Sequence, residues 1–198
     1  MKEIAPGIWH WKARHPRIGV DVSSYFLPEP AVLLDPLAPD PVPECLEELG
    51  PPRAALLTNR HHFRDCGKLH ERFDCEIRAP RTGMHEFDEG EPVEPYDFGE
   101  ALADGAVHVH EVGAICPDEA ALYVPSLGAL AVADGVINYG GLGFVPDHLM
   151  DEPEQTKQAL KAAYRGLAAE LDFDNLLLAH GDPVVGGARD ELRRFAES

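Results

Sequence analysis

Three short apolar runs constrain how this chain can fold. Ala54-Ala55-Leu56-Leu57 stops at Thr58, Ala129-Leu130-Ala131-Val132-Ala133 stops at Asp134, and Leu176-Leu177-Leu178-Ala179 stops at His180. Runs this short and this continuously apolar have the profile of buried strands rather than helices. A polar residue just past a buried strand sits on a loop that the strand holds rigid and solvent can still reach. After Thr58 comes the densest polar cluster in the chain, Asn59-Arg60-His61-His62-Phe63-Arg64-Asp65, followed by Cys66-Gly67 and a helical pattern. A polar site is expected there.

The chain of 198 residues, 44% of them hydrophobic, is long enough for one well-buried domain and short for two, so residues 1–198 are read as a single domain. Its 35 acidic and 17 basic residues give a formal charge of −18, which argues against nucleic acid or an anionic membrane as partner. Cys45, Cys66, Cys75 and Cys116 form no CxxC pair, which weighs against a zinc ribbon or a disulfide scaffold. The N-terminal stretch lacks the apolar core of a signal peptide, and the expected location is cytoplasmic with reduced thiols.

Strands are expected at Ile8–Trp11, Val20–Leu27, Ala31–Asp35, Cys75–Ala79 and Ala120–Val124, besides the three runs above. Ala106-Val107-His108-Val109-His110 alternates and reads as a half-buried strand with both imidazoles outward. Asp88–Asp97 reads as an exposed acidic stretch and Asn138–Pro146 as a Gly-rich loop. The Pro-rich segment 36–43 leads to a short helix at Glu44–Leu49, and Lys68–Phe73, Glu154–Leu171 and Ala188–Glu197 are further helices. Leu160, Ala163, Tyr164, Leu167, Ala168 and Leu171 make the second of these three strongly amphipathic.

The order of these segments resembles the metallo-β-lactamase fold family, which includes glyoxalase II. The likeness runs through Ala5-Pro6-Gly7-Ile8-Trp9, Ser24-Tyr25-Phe26-Leu27, Leu33-Leu34-Asp35, the cluster after Thr58, and Ala179-His180-Gly181-Asp182. It implies an α+β fold, a four-layer αββα sandwich of two mixed sheets packed face to face with helices outside. It also implies a metal centre at seven positions, which in this chain carry Asn59, His61, Phe63, Arg64, Ala114, Asp134 and His180. Only His61, Asp134 and His180 are of ligand type. Phe63 has no lone pair to offer, and Arg64 stays protonated.

The resemblance therefore implies a largely dismantled dinuclear centre, with Arg64 standing in for a metal ion and pairing with Asp134. The cofactor expected is none, or one divalent metal (zinc, iron or manganese) on His61, Asp134 and His180. His62, Asp65, His85, His110, Cys116, Asp118, Glu119 and His148 are further donors that could rebuild a site. Two readings lead. One is a metal-dependent hydrolase of an ester, thioester, lactone or amide. The other is a non-catalytic pseudo-enzyme whose pocket binds a small anionic ligand. A metal-free enzyme using His61, His180 or Cys66 ranks third.

Overall fold

The computed structural model describes residues 1–38 and 44–198. One sheet runs in chain order through β1 (Lys2–Ala5), β2 (Ile8–Arg14), β3 (Asp21–Leu27), β4 (Val32–Leu34), β5 (Ala54–Leu56), β6 (Glu76–Pro80) and β7 (Val93–Tyr96). Its first four strands form an antiparallel meander, and β4 to β7 are parallel. The other sheet contains β8 (Ala101–Leu102), β9 (Val107–Glu111), β10 (Ala120–Val124), β11 (Ala129–Val132), β14 (Asn175–Leu178) and β15 (Val184–Val185), in the order β15-β14-β11-β10-β9-β8. A small hairpin of β12 (Ile137–Asn138) and β13 (Leu142–Gly143) lies between β11 and β14 in the chain. The helices are α1 (Cys45–Glu48), α2 (Cys66–Phe73), α3 (Pro153–Glu170) and α4 (Ala188–Glu197).

Alternation of side chains along the buried strands builds three separate cores. Between the sheets meet Val32, Leu34, Leu56, Val107, Leu122 and Leu177. The opposite faces of the same strands, Leu33, Ala55, Leu57 and Ile77, pack beneath Cys66 and Leu69 of α2. On the other outer face, Leu130, Val132, Leu176 and Leu178 lie under Leu160, Tyr164 and Leu167 of α3 and Leu192 of α4. The expected αββα layering is therefore what these residues form.

The sheets are also stitched together at one end. Val22 pairs with His180, Ser23 N donates to Ala179 O at 2.9 Å, and the Tyr25 hydroxyl donates to Leu178 O at 2.8 Å while accepting from Leu178 N. Consequently the chain ends just past β4, β5, β11 and β14 converge.

The structure corrects two expectations. Residues 88–97 are not all an exposed stretch, because β7 closes the first sheet and buries Tyr96, whose hydroxyl donates to Leu57 O. Its acidic neighbours and Pro95 hide the strand signal, and such a proline is tolerated at a sheet edge. The Gly-rich stretch after Asn138 is a hairpin, anchored where Asn138 pairs with Gly181. The segment 36–43 lies largely outside the described residues.

Candidate functional site

Asp35 ends β4 the way Asp134 follows β11 and His180 follows β14. It is 4% exposed and receives Thr58 N at 2.8 Å on Oδ1 and the Thr58 hydroxyl at 2.6 Å on Oδ2. After Thr58 the chain enters a single 3-10 turn, Arg60–His62, capped by Asn59, whose Oδ1 accepts from His61 N at 3.0 Å. Residues three apart eclipse in such a turn. His62 therefore follows Asn59 inward and is buried, whereas His61 is exposed.

His62 lies between two carboxylates. Its Nδ1 is 3.0 Å from Asp35 Oδ2, and its Nε2 is 3.3 Å from Asp134 Oδ1. His180 Nε2 reaches the same Asp134 oxygen at 2.9 Å, while Asn59 Nδ2 donates to Asp134 Oδ2 at 2.8 Å. Burial disfavours charge on His62, but Asp35 and Asp134 outweigh it and raise its pKa to about 9. The same balance operates in reverse at the carboxylates. Burial pushes Asp134 upward, and the two imidazoles more than offset this, leaving it well below the usual carboxylate range. Asp35 is likewise lowered, against its burial, by His62 and Arg64.

Behind Asp134, Glu119 is fully buried. Its Oε1 accepts from Gly135 N at 2.7 Å and its Oε2 from Ile115 N at 3.3 Å. Burial first, and Asp134 second, raise its pKa to about 7. On the other side Asp118 pairs with the Arg60 guanidinium and accepts Arg60 N at 2.7 Å, which fixes the start of the 3-10 turn.

Of the seven positions singled out by the sequence, Asn59, Asp134 and His180 meet in one cluster. The arrangement differs from two expectations. Among the described residues, the group whose donor atoms lie close enough to share an ion, all within 4.8 Å of one another, is His62, Asp134 and His180; His61 is exposed and lines the neighbouring cavity. Nor does Arg64 pair with Asp134. In its left-handed conformation (φ 45°) it donates to the main-chain carbonyls of Ser23 and Asp35, at 2.9 and 2.5 Å, while Asn59, His62 and His180 occupy Asp134. Phe63 meets Phe87 in a tilted contact, ring centroids 5.7 Å apart, in that cavity, and Ala114 packs against the core beneath α3. Asp35 escaped notice as a site residue, although Val32-Leu33-Leu34-Asp35 carries the same strand-end signal as Asp134 and His180.

Asn59 is a neutral amide already hydrogen-bonded at both ends, and Phe63, Arg64 and Ala114 supply no ligand atom. The donors of His62, Asp134 and His180 lie close enough to hold one ion. Two imidazole Nε2 atoms and a carboxylate suit zinc or iron, and Asp35 on His62 Nδ1 is the outer carboxylate that commonly orients a metal-binding imidazole.

No protein-family model matches the chain, and no curated protein does. Solved structures match it over almost its full length. The DIM-1 metallo-beta-lactamase superposes with a TM-score of 0.73 at 16% identity, over 99% of this chain and 95% of that one. The metallo-beta-lactamase family protein TTHA1429 from Thermus thermophilus gives 0.63 at 20% identity, over 98% and 78%. TTHA1623, solved in a di-iron-bound form, gives 0.61 at 19% identity, over 94% and 93%. At these identities the likeness establishes the fold. The chain has the metallo-β-lactamase fold, and the cluster around Asp134 sits at the shared end of its two sheets.

Proposed function

We propose that this protein is a hydrolase-like member of its fold with one divalent-cation site, His62, Asp134 and His180, acting on a small ester, thioester, lactone or amide. The observation that carries the reading is the convergence of His62 Nε2 and His180 Nε2 on one oxygen of Asp134, at 3.3 and 2.9 Å. A cation held there supplies Lewis-acid polarisation of a carbonyl oxygen and of water. The chain's own residues do the rest. Asp35 orients the His62 ring, Asn59 holds the second oxygen of Asp134, and Arg64 supplies positive charge beside Asp35.

The proton on His62 competes with the cation. With a pKa of about 9, this ring must lose a proton before it can bind, so apparent affinity should rise roughly tenfold per unit between pH 7 and 9. Titrations with zinc, manganese and iron(II) across that range, read by calorimetry, test the site directly. Less than a tenth of an equivalent bound at pH 9, with no hydrolysis of ester, thioester, lactone or amide panels, sinks the proposal.

A second reading, the pseudo-enzyme, rests on a different observation. The His62 imidazolium and the Arg64 guanidinium already balance Asp35 and Asp134. In that reading the protein's own cations replace the metal and the site binds a small anion without turnover. Cation uptake in the titration above decides against it.

A further inference from the structure

Beside the cluster, and forming its mouth, lies a cavity of about 280 Å³ lined by His61, Phe63 and Arg64, the chain neighbours of His62, and by none of His62, Asp134 and His180 themselves. One wall comes from the hairpin between β2 and β3. There His15 Nδ1 faces Arg17 N and Ile18 N at 3.3 and 3.4 Å, so the Nδ1 of the neutral ring is an acceptor and its Nε2 carries the hydrogen. Burial first, then Arg64 and Arg17, lower the His15 pKa, which favours this neutral form at pH 7. Next to it, the Arg17 side chain makes no hydrogen bond or ion pair among the described residues, and Arg64 spends its bonds on main-chain carbonyls and leaves Nη2 unpartnered. The Arg64 charge is offset by Asp35 and Asp134, which leaves Arg17 as the guanidinium on this wall without a carboxylate, in a protein with 35 acidic residues.

The remaining walls are of another kind. Phe63 and Phe87, with Leu37, provide an apolar surface. Of the acids around the mouth, Asp65 pairs with Lys68 at 2.8 Å and Glu86 lies 3.7 Å from Arg60. Glu91 has no cationic partner among the described residues, so it opposes a second negative charge in the same space. One unmatched guanidinium, Arg17, and the His15 ring N–H on one wall, an aromatic pair on another, and one unmatched acid together select a ligand with a single carboxylate and an apolar body.

We propose that the mouth is a specificity pocket for amphipathic monocarboxylates, its charge read by Arg17 and His15 and its body by Phe63 and Phe87. The proposal deepens the hydrolase reading by naming the substrate class that reaches the site. Binding itself requires no metal.

The test uses the full chain in the presence of EDTA and follows ¹H–¹⁵N spectra during titration with phenylacetate, phenylacetamide, benzylmalonate and inorganic phosphate. Phenylacetate should bind roughly tenfold more tightly than the other three, the size of one charge-assisted hydrogen bond, with shifts centred on residues 15–20. Arg17→Ala should bring phenylacetate down to the level of phenylacetamide. Phe87→Ala should weaken both ligands alike. Equal binding of acid and amide, phosphate binding as tightly as phenylacetate, or an Arg17→Ala variant with unchanged affinity would overturn the pocket. Carboxylate selectivity without cation uptake defeats the hydrolase reading and leaves the pocket standing; cation uptake without selectivity does the opposite.

Discussion

At the scale of single residues, His62 decides how the site behaves. Its proton is held by Asp35 and Asp134, and its pKa of about 9 lies above the unfolded value of 6.5. A raised histidine stabilises the fold in full below pH 6.5, and that contribution disappears as pH rises through 9. The shift corresponds to about 3 kcal/mol. In metal-free protein, the stability difference between wild type and His62→Gln should therefore shrink by about 3 kcal/mol between pH 6 and 9.5, measured by urea unfolding. Glu119, raised to about 7, also loses stabilisation as pH rises, and because His62 lowers that pKa the Glu119 contribution cancels only in part between the two proteins. A pH-independent gap between the two would mean that His62 is neutral throughout.

Tyr164 makes the contrasting case. Its hydroxyl is buried without a hydrogen-bond partner among the described residues, so Tyr164→Phe should leave the melting temperature unchanged or raise it, by up to about 1 kcal/mol of stability. A substantial fall in Tm would mean that the hydroxyl has a partner, with Glu119 the nearest carboxylate on that side of Gly135.

Much of the residue scale was legible in sequence and some was not. Asp134 and His180 stand alone at strand ends, and nothing nearby competes for their place. In Asn59-Arg60-His61-His62 the choice between adjacent histidines depends on the local helical period, and a 3-10 turn sends the second one inward. Register against a family pattern cannot foresee that rotation.

Among the elements, the strap carrying His180 shows how backbone alone positions a donor. Gly181 has φ 88°, and a β-carbon built on it would lie 2.0 Å from Asn138 O. Glycine is required there both for the left-handed conformation and for the close approach of the β12 hairpin. Gly181→Ala should lower stability by about 2–4 kcal/mol, with displaced His180 resonances in NMR spectra and weakened cation binding. Wild-type-like spectra would show that the hairpin yields without moving the strap. Long or apolar elements, such as α3 and β14, announce themselves through periodicity and composition. The two-residue strands β8, β12, β13 and β15 carry no periodic signal and exist only because a neighbour offers pairing.

For the whole molecule, the placement of the site follows from layering. Parallel strands β4 and β5 in one sheet, and β11 and β14 in the other, each deliver one polar chain end to the same edge, and β3 ties the sheets together there through Val22, Ser23 and Tyr25. Breaking that tie should loosen both halves together. Tyr25 both donates to and accepts from Leu178, so Tyr25→Phe leaves a buried N–H and a buried carbonyl each short of this partner, at about 1–3 kcal/mol. If residues 1–198 form the single domain proposed from length, calorimetry should give one transition for wild type and one, shifted downward, for the variant. The −18 charge sharpens the experiment, because salt screens the self-repulsion of an acidic surface and should raise both midpoints in parallel without splitting them. Two separating transitions in Tyr25→Phe would instead mean that the sheets fold independently and that the site at their shared edge is held by this tie alone.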